Sequence, residues 1–92
     1  MDIGELQATI RATYGHRDQA RGVEGTFAWF VEEVGELSRA IHRQGHDERV
    51  IEFSDVLAWL VSLADLTGVD LAEAAERYAH GCPKCARSPC TC

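Results

Sequence analysis

Residues 26–67 read TFAWFVEEVGELSRAIHRQGHDERVIEFSDVLAWLVSLADLT, and two periodic runs on either side of Gly45 decide the fold. In the first run, Phe27, Phe30, Val31, Val34, Leu37 and Ile41 recur at three- and four-residue spacing, the signature of a helix with one apolar face. Val50, Phe53, Val56, Leu57, Leu60, Val61 and Ala64 do the same in the second. Thr26 can cap a helix that runs to about Gln44, where Gly45 stops it, and Asp47 can cap the next, to about Thr67. Upstream, Asp2-Ile3-Gly4-Glu5 has the form of a capping box, which predicts a helix to about Tyr14 ended by Gly15. Residues 16–25 hold two glycines without clear periodicity and predict a loop or a broken helical turn. Downstream, Gly68 ends the third helix and Asp70-Leu71-Ala72-Glu73 opens a short fourth one. All four cysteines and both prolines fall in residues 82–92, a separate compositional segment. The expectation is an all-α bundle of about four helices over residues 1–81, with a Cys-rich tail over 82–92.

At 92 residues the chain has room for one small domain. Nine Lys and Arg against fifteen Asp and Glu give a net charge of −6, a poor balance for holding nucleic acid by its phosphates. No apolar run reaches the ~18 residues of a membrane span, because Asp55 and Asp65 bracket the longest. The acidic N-terminus does not read as a signal peptide, so a cytoplasmic protein is expected, with cysteines reduced and read first as metal ligands. A monomer of this size buries only about 60–65% of its unfolded surface, which predicts self-association as a homodimer or homotetramer.

Chemistry is concentrated in four acids. Glu33 and Glu36 share a helical face, as do Glu52 and Asp55, and both pairs lie beside the apolar stripe instead of opposite it. If the two helices close as an antiparallel hairpin about Gln44-Gly45, residues at equal height have numbers with a constant sum. Glu36 with Glu52, Glu33 with Asp55, and Trp29 with Trp59 all share the sum 88. One register therefore sets four carboxylates face to face in two layers and levels the two tryptophans. Converging carboxylates repel, and they either take up protons or bind cations. Oxygen ligands of this kind suit Mg²⁺ or Mn²⁺. Either acidic pair alone would read as a solvated helix surface; the pairing across the hairpin favours metal.

EEVGEL at Glu32 to Leu37, followed by EFSD at Glu52 to Asp55, resembles the EExxE…ExxD signature of MazG-like proteins, the all-α nucleoside triphosphate pyrophosphohydrolases. The resemblance covers roughly Arg17 through Tyr78. It implies that Glu33, Glu36, Glu52 and Asp55 hold Mg²⁺, and that a nucleotide is cleaved between its α and β phosphorus to a monophosphate and pyrophosphate. A role in clearing unwanted nucleotides is implied by the family alone. Glu32 would lie just outside the metal shell, as a general base or as a plain solvent-facing glutamate, with Glu33 the other catalytic candidate. Ser38 and Ser54 have no evident His partner, so no rival nucleophile stands out.

Trp29 and Trp59 can sandwich or floor a base, or serve as core or interface residues. Arg17, Arg21 and Arg77 are the cations available for phosphate oxygens, and each also reads as a surface ion pair. In the tail, Cys82-Pro83-Lys84-Cys85 and Pro89-Cys90-Thr91-Cys92 supply four thiolates for one structural Zn²⁺, with His80 able to replace one of them. Free thiols and disulfides are the competing readings of that segment. The rival reading of the whole chain is a non-catalytic helical interaction module with a zinc-stabilised tail.

Overall fold

The computed structural model describes residues 1–92 as an all-helical chain. Helix α1 spans Ile3–Arg43, α2 spans His46–Leu66 and α3 spans Leu71–Ala75, followed by a single 3₁₀ turn over Glu76–Tyr78. Asp2 caps α1 by accepting a hydrogen bond from the Glu5 amide at 2.7 Å, as the capping pattern predicts.

The first helix does not end at Gly15. Helical backbone continues to Gly22, which takes φ 81° and ψ 174° and breaks α1 into two arms, residues 3–21 and 23–43. Left-handed φ costs an L-residue a clash at Cβ, so glycine is the natural occupant of this position. The expected loop over 16–25 is thus a one-residue break. Thr26 is not a cap but a fully buried residue inside the second arm, where its hydroxyl accepts from Arg21 Nη1 at 3.2 Å. In α2 the capping position falls to Gly45, which offers no side-chain bond, and Asp47 instead sits in the first turn, where its charge suits the helix dipole. The fourth helix is short, as expected, at five residues, with Asp70 accepting from the Ala72 amide at 2.9 Å.

The second arm of α1 and all of α2 form the antiparallel hairpin. Arg49 fastens its turn, donating from Nε to the Ala40 carbonyl at 3.2 Å and from Nη2 to that of Ile41 at 3.1 Å. These satisfy carbonyls that the end of α1 would otherwise leave open. The first arm packs along the far half of α2. Arg11 grips Asp65 there at 2.6 Å, and the buried Gln7 side chain donates to the Val69 carbonyl at 2.9 Å and accepts from the Leu71 amide at 2.9 Å. That clasp fixes the α2–α3 connection, where Gly68 adopts φ 75°.

Little of the expected apolar face is covered. Only Ile10, Ala40, Val61 and Ala64 among apolar residues are buried, while Phe27, Val31, Val34, Val50, Phe53 and Leu57 stand about half exposed. The radius of gyration is 15.2 Å, against about 12 Å for a compact chain of this length. No helix is long and apolar enough to cross a membrane.

Candidate active site

The hairpin register read from the sequence is the one observed. The Trp29 and Trp59 rings stack with centroids 6.0 Å apart and planes 10° from parallel. One to two turns further along α1, and the corresponding distance back along α2, Glu33 meets Glu52 and Asp55, with one carboxylate oxygen of each within 4.8 Å of the others. Glu36 is not brought into this trio. It lies one turn beyond Glu33, 3.7 Å from Arg39. Glu32 is exposed beside the group.

The trio is electrostatically uncompensated. Burial pushes the Glu33 carboxyl above its ordinary value, and Asp55, Glu52, Glu36 and Glu32 raise it further by repulsion. Glu52 Oε2 is buried without a hydrogen-bond partner. Such an oxygen costs free energy unless something supplies a positive charge or a proton. Three converging carboxylates, one with an orphaned oxygen, are a donor set that fits a hard divalent cation.

Next to the acids is a cleft of about 330 Å³ lined by Glu33, Asp55, Trp59, Ser62, Tyr14 and, from the first arm of α1, Arg17, Asp18 and Arg21. Two of the three candidate cations are therefore brought to the acidic trio. Arg17 makes no ion pair in the chain. Arg21 is engaged: Nη1 donates to Asp18 Oδ1 at 2.9 Å, and the guanidinium lies 4.7 Å over the Trp59 ring. Arg77 does not line the cleft and instead lies 5.8 Å over the ring of Tyr78. The stacked tryptophans leave no gap for a base between them, so the sandwich arrangement is not formed. Trp29 remains 47% exposed.

Sequence reasoning missed Asp18. Its side chain is buried, accepting from Arg21 on one oxygen and from Ser62 Oγ at 2.6 Å on the other. The i,i+3 spacing of Asp18 and Arg21 was the available signal. Together with Thr26 these residues bolt the break at Gly22 onto α2 beside Trp59.

In the tail, Cys82, Cys85, Cys90 and Cys92 converge with all four sulfurs within 4.8 Å of one another. Cys82 and Cys92 are 3.7 Å apart and Cys85 and Cys90 4.0 Å apart, and none is disulfide-bonded. Backbone amides, that of Thr91 foremost, hold the Cys85 thiol down to about 6.

Residues 21–86 match the MazG nucleotide pyrophosphohydrolase domain, and the chain belongs to that family. It is also 40% identical over 72 residues to a dATP/dGTP diphosphohydrolase of Cyanophage S-2L, a match covering 78% of this chain and 65% of that relative.

Proposed function

We propose that this chain is a Mg²⁺-dependent nucleoside triphosphate pyrophosphohydrolase, releasing pyrophosphate and a nucleoside monophosphate. The observation that carries the reading is the acidic trio with its unpartnered Glu52 oxygen. Glu33, Glu52 and Asp55 would hold Mg²⁺ (or Mn²⁺), with Glu36 as the fourth ligand once its contact to Arg39 is given up. A triphosphate carries about four negative charges, and an acidic protein accepts it only through bridging cations. The chemistry a bound cation supplies is neutralisation of those charges and acidification of a water for attack on phosphorus.

The remaining residues take roles set by their surroundings. Arg17, open at the cleft, binds phosphate oxygens; Arg21, held by Asp18, orients Trp59 and lends its charge to the same wall. Glu32, exposed next to the trio, or Glu33 receives a proton from the attacking water. Trp29 and Trp59 together offer one stacked platform for a base. The cyanophage relative's name makes purine deoxynucleotides the first substrates to try. The half-exposed apolar residues of the hairpin support a homodimer or homotetramer, and clearance of unwanted nucleotides in the cytoplasm is the role this activity would serve. Pyrophosphate release from a panel of NTPs and dNTPs with Mg²⁺ tests the reading. Hydrolysis of at least one, abolished by chelation, is expected, and no turnover of any would instead favour a non-catalytic helical module.

A further inference from the structure

We propose that Cys82, Cys85, Cys90 and Cys92 form a closed structural zinc centre, one ion per chain, that organises the segment following the 3₁₀ turn. A tetrahedral ion with Zn–S bonds of about 2.3 Å requires sulfurs about 3.8 Å apart along each edge. The two closest sulfur pairs are 3.7 and 4.0 Å apart, and all four fall within 4.8 Å of one another. A disulfide would need about 2.05 Å.

Backbone geometry is arranged around the sulfurs. The Cys82 amide donates to the Arg87 carbonyl at 3.0 Å, and the Ala86 amide to the Cys82 carbonyl at 2.7 Å, closing a tight loop over the first cysteine pair. Gly81, at φ 98°, makes this possible: a Cβ there would stand 2.7 Å from the Arg87 carbonyl oxygen. The Lys84 amide points at Cys82 Sγ and the Cys92 amide at Cys90 Sγ, each at 3.4 Å, which is how backbone dipoles stabilise thiolates. No residue from 79 to 92 is buried, so no apolar core holds the segment. Order without an apolar interior is the situation in which metal binding supplies the folding free energy.

Four soft thiolates select zinc over the hard cation proposed for the carboxylates, and a four-protein-ligand shell leaves no position open for catalysis. His80 is not part of the cluster. The four thiols share no residue with the carboxylate group, so the centre is independent of the pyrophosphohydrolase reading.

Elemental analysis of protein purified under reducing conditions without chelator should find about one zinc per chain. Replacement by Co²⁺ should give the visible absorption of a tetrahedral all-thiolate site. Cys82→Ser/Cys85→Ser and Cys90→Ser/Cys92→Ser should each lose the zinc while the helical circular dichroism of residues 3–66 persists. The assignment is overturned by metal-free protein whose four thiols react freely even after zinc is added, by iron in place of zinc, or by full zinc retention in either double variant.

Discussion

Two sets of carboxylates lie on the same two helices and have opposite surroundings. Asp18 and Asp65 are each matched by an arginine and a second donor: Arg21 and Ser62 for one, Arg11 and Gln7 for the other. Glu33, Glu52 and Asp55 converge with no ion pair or side-chain hydrogen bond among them to offset their charge. The hydrogen bonds and charge of Arg11 hold the Asp65 carboxyl below the ordinary range, whereas burial and its acidic neighbours hold that of Glu33 above it. The first set joins the arms of α1 to α2. The second weakens the metal-free fold, which is reason to assign it to a ligand.

The largest test of this contrast is neutralisation of the second set. Asp55→Asn, Glu52→Gln or Glu36→Gln should cut Mg²⁺-dependent pyrophosphate release by at least about 100-fold, since a catalytic cation supplies several kcal/mol of barrier lowering. The same changes at Glu52 and Asp55 should raise the melting temperature in chelator by removing repulsion. Turnover near wild type in all three variants would end the site assignment.

Neutralising the first set should do the reverse. Asp18→Ala leaves the Arg21 guanidinium and the Ser62 hydroxyl without their acceptor and should cost about 2–3 kcal/mol in urea unfolding, below the full value for a buried pair because Arg21 is partly exposed. An unchanged midpoint would make the bolt at the helix break ornamental. Gly22→Ala should cost about 1–3 kcal/mol, all of it from the backbone, because φ 81° with ψ 174° is a region essentially reserved for glycine while a Cβ there meets nothing within 4 Å.

The smallest effect is in pH. Asp65 has a lowered carboxyl in the folded state, so its contribution is complete above about pH 4 and is lost as pH falls through the folded value. Arg11 is mostly exposed, so solvent screening keeps this limb shallow. Glu33 has the opposite sign: without metal, stability should fall as pH rises from about 4.5 through its raised value. Melting curves between pH 3 and 7 in chelator should therefore peak between these limbs, and Asp65→Asn should flatten only the acid one.

The hairpin was legible because a short turn at Gly45 ties the heights of two helices together, so Trp29 with Trp59 and Glu33 with Asp55 could be paired by number alone. The end of the first helix was not. Gly15 and Gly22 look alike in sequence, and what selects Gly22 is tertiary: the helix must run on to deliver Asp18 to Ser62 before it can turn. Glu36 shows the limit of face-sharing arguments: it lies one turn beyond Glu33, 3.7 Å from Arg39, and would join the other acids only once that contact is given up. The extent of the exposed apolar stripe was also hidden, because periodicity says which residues share a face and not what covers it.

Only eight of the 92 residues are buried. An interior completed by further copies of the chain obeys mass action, and each tenfold dilution of a dimer costs it about 1.4 kcal/mol at 25 °C. Such a protein has no single unfolding midpoint; it has one for every concentration. Melts over a dilution series should then shift steadily downward, and the quantity of chain a cell makes would set the fraction of it that is folded.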